Sequence, residues 1–165
     1  MDQRLADEIR RLSDIEALRR LKARYCYLVD AGVAGDQAAV DELMSLFVDD
    51  ARGEYGDFGA YEGREALDGF FRAVVPGLLS YTAHMVHNAV IDVPGDTAKA
   101  RWYFEVPCTL RQDDRALWLQ GRYTEQYARV NGQWMWREIL AEFDYATPFD
   151  QGWAKKRMLT EEDLG

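Results

Sequence analysis

A chain of 165 residues and 19.0 kDa is the size of one domain, and a fold of this size buries roughly 70% of its unfolded surface, enough for a core without staples. Hydrophobic residues at 48% with 30% charged residues exclude disordered, collagenous and low-complexity classes. The 20 Lys plus Arg stand against 29 Asp plus Glu for a net charge of -9, which repels nucleic acid and anionic membranes.

The two cysteines, Cys26 and Cys108, lie far apart and outside any Cys-x-x-Cys spacing, so reduced thiols are expected. Met1 to Arg11 is charged throughout with no apolar leader core, and no run reaches about 18 apolar residues. Together these predict a cytoplasmic protein without membrane or nucleic-acid partners.

Ser13-x-x-Glu16 reads as a capping box opening a helix with Leu18, Leu21, Tyr25 and Leu28 on one stripe, ending near Asp30 to Gly32. A second helix starts after an Asp36 cap and carries Val40, Leu43, Met44 and Phe47 at helical spacing. The Gly- and aromatic-rich stretch 51–63 predicts a hairpin. Residues 65–78 form a third helical face through Leu67, Phe70, Phe71 and Val74, closed by Pro76 and Gly77.

From Ser80 the period becomes two. Ala98 to Leu110 alternates apolar with polar, and turn signals at 94–96, 112–114 and Asn131-Gly132 divide the rest into four consecutive strands. Helices followed by a meander predict an α+β domain, a curved antiparallel sheet covered by three helices, with a core at about 10–147 and a charged C-terminal extension at 148–165.

Gly121-x-Tyr123-x-x-x-Tyr127-x-Arg129-x-x-Gly132-x-Trp134-x-Trp136 and Tyr61-x-Gly63-Arg64-x-Ala66 resemble the last hairpin and the approach to the third helix of the SnoaL-like family. That family sits in the nuclear transport factor 2-like superfamily of conical α+β folds. Tyr25-x-x-x-x-Asp30 and His84-x-x-x-Asn88 are similar to pocket residues of its lyase branch, which includes the scytalone dehydratases, bile acid 7α-dehydratases and hexachlorocyclohexane dehydrochlorinases. The chain departs from the bile acid enzymes by carrying Val106 and Phe143 where those have an aspartate and an arginine. The resemblance implies a cofactor-independent dehydratase-like lyase acting on a small hydrophobic, cyclic, oxygenated compound such as a steroid, terpenoid or aromatic catabolite. His84 is then the base, Asp30 its orienting partner and Tyr25 a phenol donor. It also implies a homo-oligomer, a dimer or a trimer. The fold hosts many chemistries, so an isomerase or cyclase using the same pocket, or a non-catalytic ligand-binding or dimerisation domain, stands as the alternative.

A His–Asp pair suits proton abstraction from carbon, because the carboxylate fixes the imidazole tautomer and stabilises the imidazolium. It needs no metal or cofactor. Strict alternation sets Thr82, His84, Val86 and Asn88 on one strand face and Tyr81, Ala83, Met85, His87, Ala89 and Ile91 on the other. Periodicity alone favours burying the His87 face, whereas the resemblance selects His84. Helical geometry sets Tyr25 about 140° from Asp30 and brings Tyr27 nearer, so both tyrosines are carried as candidates. Tyr27, Asn88, Trp102, Phe104, Trp118 and Phe143 are the expected substrate-binding set; Trp136 is a further aromatic candidate. Arg122 and Glu105 are weighed as an anion partner and a second acid, and surface cross-strand charges account for both more simply.

Overall fold

The computed structural model describes residues 2–164. Helix α1 (Gln3–Val33) is capped by Asp2, whose side chain accepts from the Arg4 backbone N–H, so it begins ten residues before the Ser13 box. Gln3 to Leu12 contains no helix breaker and consists mostly of the strong helix formers Arg, Leu, Gln, Glu and Ala, which sustain the helix. Glu16 pairs with Arg20 at 3.0 Å instead of closing a capping box. Helix α2 (Gln37–Ser45) is capped by Asp36, which accepts from the Ala38 and Ala39 backbones.

Phe47, expected at the end of α2, opens strand β1 (Phe47–Glu54). A 3-10 turn (Gly56–Phe58) and β2 (Ala60–Glu62) complete the hairpin predicted at 51–63. Helix α3 (Arg64–Gly69) continues through a π-helical segment (Phe70–Val74) into α4 (Val75–Leu78), a single helical run that fills the predicted third position. Strands β3 (Leu79–Thr82), β4 (Met85–Asp92), β5 (Thr97–Leu110), β6 (Ala116–Val130) and β7 (Gln133–Pro148) follow. Asn131 and Gly132, both at positive φ, make the tight turn between β6 and β7.

The strands form one curled sheet in the order β2-β1-β7-β6-β5-β3, with β4 also paired to β5. The meander is antiparallel as expected; β1 runs parallel to β7, which makes the sheet mixed. Register shifts at Gln120/Gly121 and Gln126/Tyr127 in the β6–β7 ladder, and between His87 and Val90 in β4, bend long strands that would otherwise lie flat. The three helical rods pack into the resulting concavity. Trp136, fully buried, sits 5.4 Å from Tyr25 and 5.5 Å from both Phe47 and Tyr127, joining helix, first strand and last hairpin. Each such aromatic pair adds about 0.5–1.5 kcal/mol beyond its buried area.

The C-terminal extension folds back on the sheet. The Ala146 N–H donates to the Arg157 carbonyl at 2.9 Å, and Trp153 packs on Tyr145 and Trp118. It ends in the short helix α5 (Glu161–Leu164). No helix among the described residues is long and apolar enough to cross a membrane.

Candidate active site

Between α1, the π-helical segment and the inner face of the sheet lies a pocket. Its walls are apolar: Val29 from α1, Phe70 and Phe71 from the π-helical segment, and Phe104, Val106 and Phe143 from the sheet. Five polar side chains interrupt them, Tyr25, Tyr55, Thr82, His84 and Tyr123. Few polar groups in an apolar cavity is the usual composition of a small-molecule site.

Strand parity accounts for His84. Its segment continues the β3 register between Thr82, opposite Cys108, and Met85, opposite Glu105, so Thr82, His84 and Val86 face inward beside buried Cys108, Val106 and Phe104. A bulge follows at Asn88, which adopts φ 55°. The extra residue reverses the parity and turns Ala89 and Ile91 inward while His87 stays outside. The apolar residues that favour the His87 face on periodicity alone therefore belong to the other side of a bulge.

His84 Nδ1 lies 2.6 Å from Asp30 Oδ1. The carboxylate also accepts from the Thr82 hydroxyl at 2.8 Å and from the His84 backbone N–H at 3.0 Å. Three donors hold Asp30 at the end of α1, and the aspartate is the acceptor for Nδ1–H. That leaves Nε2 as the basic nitrogen, with no protein partner among the described residues. The ring is 12% exposed and the carboxylate 26%, so the pair is sheltered yet reachable from the pocket.

Tyr25 lies on the buried stripe of α1 and lines the pocket with Val29, one turn on. Asp30 need not share that face, because it acts through His84 at the pocket's edge. The phenols of Tyr25, Tyr55 and Tyr123 are all buried. Burial first, and neighbouring phenols second, push Tyr25 well above the ordinary tyrosine range; burial does the same to Tyr55 and Tyr123. All three stay neutral donors through the physiological range. Among the described residues the Tyr55 hydroxyl has no hydrogen-bond partner.

Of the expected binding set, Phe104 and Phe143 line the pocket. Four others lie elsewhere. Tyr27 is 78% exposed on the solvent face of α1, opposite the buried stripe. Asn88 is carried outward by the bulge, into a surface groove with Tyr103 and Arg122. Trp118 points outward from β6, whose inward residues are Leu117, Leu119, Gly121 and Tyr123, and packs against Tyr145 and Trp153. Trp102 faces inward but lies beyond the pocket, its Nε1 donating to Glu125 at 2.8 Å. Trp136 is fully buried core. Arg122 pairs with Asp144 at 2.8 Å, and Glu105 faces His87 at 3.7 Å, both on the outer face. Sequence reasoning misses Tyr55, whose only signal is its place in an aromatic-rich hairpin, and takes Tyr123 for a fold marker. Among the described residues no group of three or more His, Cys, Asp and Glu side chains is placed to hold a metal ion.

Residues 10–139 match the SnoaL-like domain family. The chain belongs to that family. An uncharacterised protein of Mycobacterium tuberculosis is 31% identical over 108 residues, covering 65% of this chain and 74% of its own length. Among solved structures, a scytalone dehydratase candidate of Novosphingobium aromaticivorans superposes with a TM-score of 0.74 at 22% identity, over 84% of this chain and 89% of its own. A hexachlorocyclohexane dehydrochlorinase of Novosphingobium barchaimii gives 0.73 at 21% identity, over 84% and 91%. At these identities the likeness establishes the nuclear transport factor 2-like fold, including the helix-covered curled sheet seen here.

Proposed function

We propose that this protein is a cofactor-independent lyase that eliminates water or a comparable leaving group from a small, hydrophobic, cyclic, oxygenated molecule such as a steroid, terpenoid or aromatic catabolite. The observation that carries the reading is the 2.6 Å contact between His84 Nδ1 and Asp30 at the rim of an apolar pocket. His84 Nε2 takes a proton from a ring carbon. The C–H electron pair becomes the new π bond, the bond to the neighbouring hydroxyl breaks, and the departing oxygen leaves as water after taking up the proton from His84 Nε2, which returns the imidazole to its neutral form. Asp30 stabilises the imidazolium through Nδ1–H, as a fixed carboxylate does for any histidine base. The Tyr25 and Tyr55 phenols, neutral and inside an apolar wall, supply hydrogen bonds to a substrate carbonyl or to the leaving oxygen. The dehydratase candidate and the dehydrochlorinase among the structural neighbours agree with an elimination on this scaffold.

Thermal-shift and ultraviolet absorbance screening against hydroxylated steroids, terpenoids and aromatic catabolites tests the proposal, with wild type and His84→Gln in parallel. A stabilising ligand converted by wild type to a product lighter by one water, at a rate cut about 10²–10⁴-fold in His84→Gln, is the expected result. An isomeric product of unchanged mass, lost equally in His84→Gln, would move the assignment to an isomerase or cyclase. Ligands that bind both forms equally with no turnover would make the pocket a binding site and overturn the lyase reading.

A further inference from the structure

Beyond Trp102, deep in the concavity, lies an ion pair that proton abstraction does not use. Lys22 on α1 and Glu125 on β6 have no solvent exposure, and Nζ sits 2.5 Å from Oε1. Glu125 is fully engaged, because its other oxygen accepts from Trp102 Nε1 at 2.8 Å and from the Tyr127 hydroxyl. Lys22 has a single hydrogen-bond acceptor among the described residues. The ammonium also lies over two aromatic rings: the Tyr123 ring centroid is 3.5 Å away and the Tyr25 centroid 4.3 Å.

Stability is a poor explanation for such a pair. Desolvating both charges offsets most of their attraction, and apolar replacements of similar volume are commonly neutral or stabilising. The contacts suggest another role. Both rings beneath the ammonium belong to the pocket wall, and they meet each other edge to face at 6.4 Å. A cation is drawn to the face of a ring and resists its tilting away, an attraction that strengthens where water is excluded. Lys22 stands three residues before Tyr25, and Glu125 two residues after Tyr123, so each charge lies next to the ring on its own element.

We propose that Lys22 and Glu125 are positioning residues that set the orientation of the Tyr25 and Tyr123 rings in the pocket, Lys22 through its contact with both faces and Glu125 by holding the ammonium in place. The inference rests on the lyase reading insofar as it gives Tyr25 a substrate oxygen to bind.

The test compares wild type with Lys22→Met/Glu125→Gln, which removes both charges at similar volume. Both proteins carry 3-fluorotyrosine, and Tyr25→Phe and Tyr123→Phe assign the two signals. The double variant should melt within a few degrees of wild type while its Tyr25 and Tyr123 fluorine signals shift and broaden, leaving exposed Tyr27 and Tyr81 in place. On a substrate from the panel, kcat should fall about 10- to 100-fold with KM changed less than about threefold, the signature of a misplaced group. Unmoved Tyr25 and Tyr123 signals overturn the proposal, as does an undiminished kcat in a protein whose rings have moved. A double variant that melts far lower, with all tyrosine signals collapsed together, overturns it as well by assigning the pair to stability. If wild type turns over no panel member the lyase reading falls, and the fluorine comparison alone then decides whether the pair orients the rings.

Discussion

At Gly121 a side chain would run into the neighbouring strand, and replacing it with alanine tests whether the curl and the pocket share one cause. It stands at the register shift in the β6–β7 ladder, opposite Phe143. A Cβ built there lies 2.1 Å from the Glu142 carbonyl oxygen, 2.8 Å from Phe104 Cζ and 2.9 Å from Phe143 Cα. Contacts under 3.0 Å essentially never occur, so β7 must retreat by about 0.9 Å. Two of the three neighbours are backbone atoms, which no rotamer change relieves, so the cost falls at the upper end for overpacking, about 3 kcal/mol. At roughly 2–4 °C per kcal/mol for a domain of this length, the melting temperature should drop by about 6–12 °C. The retreat carries Phe143 and pushes Phe104, both pocket walls, so ligand-induced thermal shifts should shrink as well. Gly69→Ala is the control. Gly69 has helical angles of φ -57° and ψ -41° and nothing within 4 Å of a new Cβ, so alanine there should stabilise by about 0.5–1 kcal/mol. Differential scanning calorimetry of both variants decides the matter. A Gly121→Ala melt within about 2 °C of wild type, or an equal loss in Gly69→Ala, refutes the close-approach argument.

Two further outcomes follow from buried and clasped groups. Burial pushes the Cys26 thiol from 9.0 to about 11 and the Cys108 thiol to about 12. The unfolded chain ionises first, so the stability that the neutral thiols contribute is whole below about pH 9 and drains away as pH rises through the folded values, by about 3 kcal/mol for a two-unit shift. Melting temperature should hold to about pH 8.5 and fall by about pH 10.5, less steeply in Cys108→Ala; a flat profile contradicts the buried-thiol assignment. In the C-terminal extension, Asp163 accepts from Lys156 and from the Thr160 backbone and hydroxyl, and Lys156 first among these holds its carboxyl far below the usual range. That contribution is present above the unfolded value and lost as pH falls towards the folded one. Asp163→Asn should speed tryptic cleavage at Lys155 to Arg157 about tenfold at neutral pH, and unchanged cleavage means that the clasp does not hold the tail.

Helix stripes, the Asp36 cap, the Asn131-Gly132 turn and the β5 alternation are all legible in the sequence because each is set by neighbours within a few residues. Features that depend on sheet curvature are not. Strict alternation groups Asn88 with His84 because it has no notation for a bulge, and aromatic character, which says nothing of parity, counts Trp118 as pocket-lining. Counting parity from Gly121, Tyr123 and Tyr127 turns Trp118 outward and Glu125 inward, so that part of the site is available in the sequence to a stricter count. Tyr25 and Tyr27 show a different limit. Measuring angle from Asp30 favours Tyr27, but the buried stripe through Leu18, Leu21, Tyr25 and Val29 is what faces the cone, and Asp30 enters the site only through His84.

The two charge arrangements on the concave side of the sheet differ in legibility. Asp30 stands at a helix end, where a carboxylate opposes the macrodipole by a few tenths to about 1 kcal/mol, and that local misfit hints at a partner. Lys22 gives no such local sign, since lysine is at home in any helix. Only its phase, three residues before Tyr25 and one after Leu21 on the buried stripe, marks it as a charge that must find a carboxylate across the fold. Glu125, at the inward parity between Tyr123 and Tyr127, is the carboxylate that meets its Nζ. A charged residue in apolar phase on a helix, matched by an opposite charge in apolar phase on a strand, is therefore a pair that periodicity alone can nominate. Here that pair lies against the rings that line the pocket, so the positions that break the apolar pattern most plainly lead to the site.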